Sequence, residues 1–173
     1  KMGYVFGLED KIPENKKIQL LYKPFKPQPS PMIKPREKIA DRVKRGDIIL
    51  SYPFESMDPF LRMLREAAED PDTVSIKITI YRLARRPRIA EYLCMAAENG
   101  KDVTAVIELR ARFDEQENID WSERMEYSGC QVIYGLPGYK VHSKVCLITR
   151  RNRDGIEYIT QIGTGNYNEK TAK

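Results

Sequence analysis

The chain has 173 residues, 41% hydrophobic and 32% charged, enough for one buried core plus an extension, which excludes a chain disordered throughout. Lys and Arg outnumber Asp and Glu by 30 to 25, a net +5 spread over both signs that names no partner by itself. No apolar run approaches the roughly 20 residues that span a bilayer, and the Lys1-Met2-Gly3 start lacks a signal-peptide pattern.

Residues 1 to 34 are rich in Lys, Tyr and Pro, and the stretch 23–31 alternates proline with polar residues, so it is expected to form an extended, polyproline-like connector. Pro35 opens a short helix through Arg45, with Ile39 and Val43 four apart and Gly46 at its stop. Residues 1–45 thus read as a linker and short helix from a preceding domain, and 46–173 as the next domain.

From Asp47 onward short apolar runs alternate with amphipathic stretches, the pattern of an α/β domain. Ile48-Ile49-Leu50 predicts a strand, and Ser56 a cap for a helix through Glu69 with Phe60, Leu61, Leu64 and Ala68 on one face. Further strands are expected over 74–81, 103–109, 131–134, 141–150 and 157–162. Helices are expected over 89–99 and 115–128, closed by Gly100 and Gly129. Asp154-Gly155 marks a hairpin between the last two strands. Asn168-Glu169-Lys170 reads as a helix start, so the chain looks truncated at its C-terminal end.

Cys94, Cys130 and Cys146 are odd in number, lack metal-ligand spacing and lie in apolar stretches. They are expected to be buried thiols in a cytoplasmic protein. Trp121 is expected to pack rather than stack on a base. The chain has one histidine, His142, within Tyr139-Lys140-Val141-His142-Ser143-Lys144. On a strand covered from both sides, His142 and Lys144 would share a face. A lone histidine is ordinarily a hydrogen-bonded structural residue, but its neighbour changes that reading. An ammonium beside an imidazole disfavours the protonated ring, and the neutral ring is a nucleophile. The same ammonium offsets negative charge growing on an attacked phosphoryl group.

Gly163-Thr164-Gly165-Asn166 follows, where two glycines let backbone N–H groups approach an anion. His-x-Lys on a strand followed by Gly-Thr-Gly-Asn resembles the phospholipase D superfamily signature, whose histidine becomes phosphorylated. The aspartate expected five residues after the lysine is Thr149 here, which counts against phosphodiester hydrolysis.

A closer resemblance is to class 1 polyphosphate kinase. It is carried by Ser51-Tyr52-Pro53-Phe54-Glu55-Ser56, Ile78-Thr79-Ile80-Tyr81-Arg82, Glu108-Leu109-Arg110-Ala111-Arg112-Phe113-Asp114-Glu115, Asn118-Ile119-Asp120-Trp121, Gly138-Tyr139-Lys140-Val141-His142-Ser143-Lys144 and residues 162–172. The resemblance implies a phospholipase D-like α/β fold with a mixed, mostly parallel sheet flanked by helices. It implies reversible transfer of the terminal phosphate of ATP to polyphosphate through a phosphohistidine at His142, with ADP as co-product and Mg²⁺ as cofactor. Lys144 would act beside His142, while Gly163, Thr164, Gly165 and Asn166 would hold phosphate. Arg82 and Arg112 fall on the family's magnesium and phosphate positions. A guanidinium has five donors and no lone pair, so these two would grip phosphate, with any Mg²⁺ contact through phosphate or water.

Partners would be the nucleotide and polyphosphate, with no nucleic acid; the full enzyme would be a homo-oligomer, with room for peripheral membrane association. The fragment alone is expected to be inactive, its second histidine and base contacts lying outside this chain. Two other readings stand beside this one. One is a phospholipase D-like phosphodiesterase. The other is a non-catalytic polyanion-binding module built on the basic clusters Arg85, Arg86, Arg88 and Arg150, Arg151, Arg153, whose ordinary reading is solvated charge.

Overall fold

The computed structural model describes residues 2–23, 25–81, 83, 87–108 and 115–167. The predicted helix start at 168–170 lies outside them. Six helices are present among the described residues: α1 (Met2–Gly7), α2 (Glu14–Leu20), α3 (Ile39–Val43), α4 (Asp58–Glu69), α5 (Arg88–Glu98) and α6 (Glu115–Tyr127). Five strands accompany them: β1 (Thr73–Ile80), β2 (Asp102–Ile107), β3 (Gln131–Tyr134), β4 (Lys144–Asn152) and β5 (Gly155–Gly163).

The strands form one mixed sheet in the order β3-β2-β1-β4-β5. Its β3-β2-β1 half is parallel, because α5 and α6 carry the chain back between successive strands. The β1-β4 and β4-β5 pairings are antiparallel. The hairpin expected from Asp154-Gly155 is present: Asn152 pairs with Gly155, leaving a two-residue loop.

β-Branched residues at alternate positions make β1, and register turns that alternation into a layer. Ile76, Ile78 and Ile80 stand opposite Val103, Ala105 and Ile107 of β2, and Ile76 and Ile78 oppose Ile148 and Cys146 of β4. All eight are buried. Over this face pack Phe60, Leu61 and Leu64 of α4, Ile89 and Leu93 of α5 and Met125 of α6. Full burial of one such side chain stabilises by roughly 1.5–3 kcal/mol. On the opposite face Tyr158 and Ile162 of β5 remain exposed.

The three cysteines are free and buried as expected, and burial raises the Cys146 thiol to about 12. Trp121 packs against the core with the Arg124 guanidinium 4.8 Å from its ring centre. Gly100 ends α5 with φ of 80°, a conformation that a side chain would strain.

Three expectations need correction. Ile48-Ile49-Leu50 is not a strand: no partner among the described residues pairs with it, and Ile49 is 78% exposed. Ser56 does not cap α4 from the N-cap position, which Met57 occupies; its hydroxyl accepts the Asp58 N–H in the turn just before. The first 21 residues are not wholly extended, since α1, a 3₁₀ turn and α2 lie there, with Tyr4, Phe6 and Ile18 exposed. Within the connector Gln28 forms an isolated bridge to Glu55.

Candidate functional site

The site assembles where β1 and β2 end and β4 begins. Open α/β sheets bind ligands at the carboxyl ends of their parallel strands, and Tyr81 and Glu108 directly follow two such ends.

The chain into β4 is held by side chains in place of a strand ladder. Glu108, buried, accepts the Val141 N–H at 3.0 Å through Oε2. The Thr79 hydroxyl donates to the Ser143 carbonyl at 2.8 Å and accepts the Val145 N–H at 3.1 Å. The strand therefore starts at Lys144 and not at residue 141, so His142 lies ahead of it. This corrects the expectation of two side chains on one strand face: His142 is exposed, whereas Lys144 is 4% exposed. β4 is fully covered on one side, where Lys144, Cys146 and Ile148 are buried, and partly on the other, where Val145 and Leu147 are half-buried.

Lys144 Nζ donates to the His142 carbonyl, fixing the ammonium beside the histidine. The His142 ring lies edge-to-face against Tyr81, with centres 5.3 Å apart and planes at 76°. The Lys140 and Lys144 ammonium groups lie 5.3 and 5.5 Å from the centre of the same Tyr81 ring. Two cations and the imidazole thus converge on one phenol. Sequence reasoning gave Tyr81 and Lys140 no role, although both stand inside quoted motifs.

Gly163 pairs with Lys144 across β4 and β5. A Cβ at Gly163 would stand 3.6 Å from Lys144 Cβ, an ordinary contact, and 3.1 Å from Gln161 Nε2, the movable end of a flexible side chain, so the turn passes close to Lys144. Thr164 and Gly165 are exposed. Asn166 is half-buried, and its carboxamide oxygen is buried with no partner among the described residues. Tyr167 anchors the turn, stacked on Phe60 at 4.8 Å and bonded through its hydroxyl to Gln161. Burial, and then the neighbouring Cys146 and Tyr52, push its phenol well above the usual range.

Arg82 and Arg112 lie outside the described residues, as do Arg85, Arg86, Asp114 and residues 168–172 of the last motif. The described residues nearest to the two stretches, Tyr81, Leu83 and Glu108, meet on one buried side chain. Asn118 of α6 accepts the Leu83 N–H at 3.1 Å and donates to the Tyr81 and Glu108 carbonyls at 3.4 and 3.1 Å. It therefore ties Tyr81 and Leu83 to the end of β2. The contacts span 35, 37 and 10 residues of sequence, which no local pattern shows.

Residues 38–173 match the family described as Polyphosphate kinase C-terminal domain 1. The chain belongs to the polyphosphate kinase family. It is 51% identical over 146 residues to the polyphosphate kinase of Rhodopirellula baltica, covering 84% of this chain and 17% of that protein. It is 42% identical over 172 residues to that of Staphylococcus epidermidis, covering 99% and 23%. The chain therefore spans about a fifth of the length of such relatives. The crystal structure of polyphosphate kinase from Porphyromonas gingivalis superposes with a TM-score of 0.74 at 35% identity, over 93% of this chain and 28% of that one. The mixed α/β sheet with flanking helices is thus the fold of this part of the family.

Magnesium ligation through Arg82 and Arg112 fails on the chemistry of the donors, since a guanidinium offers no lone pair. Among the described residues no group of three or more His, Cys, Asp or Glu could hold a metal ion either. Among them too, no helix is long and apolar enough to cross a membrane.

Proposed function

We propose that this chain supplies the phosphate-accepting half of a polyphosphate kinase, with His142 as the covalent carrier between ATP and polyphosphate. The observation that carries the reading is the exposed His142 imidazole with two ammonium groups gathered on the ring beside it, in a chain of this family. In the forward direction a ring nitrogen of His142 attacks the terminal phosphorus of ATP. The N–P bond forms as the P–O bond to ADP breaks, with its electron pair leaving on ADP. A terminal oxygen of the polyphosphate chain then attacks the same phosphorus, and the N–P bond pair returns to the imidazole. Both steps reverse.

Phosphoryl transfer is catalysed mainly by positioning and by stabilising charge on the phosphoryl oxygens. Lys144, tethered to the His142 carbonyl, would stabilise that charge. Arg82, between the Tyr81 and Leu83 that Asn118 holds, would grip phosphate, as would Arg112 beyond Glu108. Gly163 to Asn166 would offer backbone N–H donors beside Lys144. A carboxamide presents an N–H₂ after a half-turn, so Asn166 can donate as well. Mg²⁺ is proposed as a counter-ion of the phosphates rather than a ligand of the protein. The partners are ATP or ADP and polyphosphate, the full enzyme is a homo-oligomer, and the free buried thiols suit the cytoplasm.

The test uses the full-length protein and two assays: incorporation of label from γ-labelled ATP, and hydrolysis of a generic phosphodiester. Label incorporation without hydrolysis is the expected outcome. Hydrolysis without incorporation would instead establish a phosphodiesterase, and binding of polyphosphate with neither activity a polyanion-binding module.

A further inference from the structure

His142, Lys140 and Lys144 present a difficulty: two ammonium groups and an imidazole repel one another as soon as the imidazole is protonated, and before phosphate arrives only the protein can hold them together. A carboxylate would do so, but it would cancel the charge that phosphate needs to meet. An aromatic face attracts cations through its quadrupole while leaving their N–H donors and their charge available. Tyr81 is placed for that task, with Lys140 and Lys144 on its ring and His142 packed edge-to-face against it.

The backbone that carries the ring is anchored. The Tyr81 backbone carbonyl accepts from Asn118 Nδ2, and the carbonyl of the preceding Ile80 accepts the Glu108 N–H at 2.9 Å. The contacts of Tyr81 with His142, Lys140 and Lys144 are made by its ring.

We infer that Tyr81 is a positioning residue for phosphoryl transfer, whose ring holds the His142 imidazole and the two lysine ammonium groups in register with the incoming phosphate. This rests on the His142 reading above. It adds a requirement for an aromatic ring at position 81 that neither the chemistry of the histidine nor the arginines' grip on phosphate demands.

The experiment is single-turnover labelling of the full-length enzyme by γ-labelled ATP across nucleotide concentration, with Tyr81→Phe, Tyr81→Leu and Tyr81→Met alongside wild type and His142→Gln. Tyr81→Phe keeps the ring and should label within about twofold of wild type. Tyr81→Leu and Tyr81→Met keep bulk without a π face and should label about tenfold more slowly or worse, as expected for losing two cation–π contacts and one ring contact. Their half-saturating nucleotide concentration should stay within about twofold. Tyr81 is only half-buried, and having two aliphatic variants guards against one that folds poorly. The inference is overturned if the aliphatic variants label as fast as wild type, or if Tyr81→Phe is as slow as they are. It is also overturned if they raise the half-saturating concentration at an unchanged rate, since the ring would then bind nucleotide. Acid-labile label that persists in His142→Gln would bring down the underlying reading instead, whatever the Tyr81 variants do.

Discussion

Strand β4 carries a cation near each end, Lys144 buried and Arg150 partly buried, and the two are treated in opposite ways. At Arg150 the guanidinium meets carboxylates: Asp70 at 2.8 Å, Glu157 at 2.8 Å and Asp72 at 3.8 Å. At Lys144 the ammonium meets a carbonyl and a phenol ring, and no carboxylate among the described residues. Charge that the fold has already neutralised serves structure, while charge left with neutral partners is available to an anionic ligand. The Arg150, Arg151, Arg153 cluster looks in sequence like part of a polyanion track, yet its first member is spent on its own domain. The less conspicuous Lys140 and Lys144 keep neutral partners and are the cations proposed to meet phosphate.

Lys144→Met gives the largest expected effect of breaking that contrast. The full-length enzyme should lose about 100-fold or more in transfer rate, the scale found when one charge-stabilising donor is removed. The nucleotide KM should shift only a few-fold, because the charge matters most where negative charge grows. A comparable rise in KM with the rate preserved would place Lys144 in ground-state binding, and steady-state kinetics would show it.

Asn118→Ala should come next. It strands the Leu83 N–H and two carbonyls in a buried place, at roughly 1–3 kcal/mol for each unsatisfied group before water enters. Denaturant unfolding should show a loss of about 2–3 kcal/mol. Transfer by the enzyme that remains folded should fall about tenfold, since Tyr81 and Leu83 lose their tether to α6.

These expectations mark what the sequence can and cannot express. Alternation of period two and 3.6 located β1, α5, β2, α6 and β3 to within a residue or two, and Asp154-Gly155 located the hairpin. Both signals are local. The segment Ile48 to Leu50 has the same apolar run as a strand, but pairing depends on a neighbour that periodicity does not contain. His142, Lys144 and the Gly163 turn were legible as a motif. The exposure of one side chain and burial of the other were not, because Glu108 and Thr79, distant in sequence, decide where β4 starts. Asn118 and Tyr81 escaped notice for the same reason: neither residue type is chemically conspicuous until three or four separate segments meet on it.

Arg150→Met should produce a smaller effect at neutral pH, confined to stability. Removing one member of a partly buried ion cluster should cost about 2 kcal/mol, below the range for fully buried pairs because water still reaches Asp72 and Glu157. Transfer by the folded enzyme should be unchanged. The pH dependence sharpens the point. Burial alone would raise the Asp70 carboxyl, but the Asp72 N–H and then Arg150 outweigh it and hold it below its ordinary value. A depressed carboxyl contributes stability that is complete above its unfolded pKa, near 4, and fades as pH falls through the folded value. Wild type should therefore lose stability below about pH 4, and Arg150→Met should show a flatter acid limb in thermal unfolding. An unchanged acid limb together with impaired transfer would reverse the roles assigned to the two ends of β4.

The most direct test of the central claim is to find where the phosphate goes. Full-length enzyme labelled with γ-labelled ATP, quenched under alkaline conditions and digested, should carry an acid-labile phosphate on the peptide containing His142. His142→Gln, which keeps bulk and hydrogen-bonding capacity without a nucleophilic ring nitrogen, should carry none and make no polyphosphate. Label on another residue, with polyphosphate synthesis continuing in His142→Gln, would contradict the account.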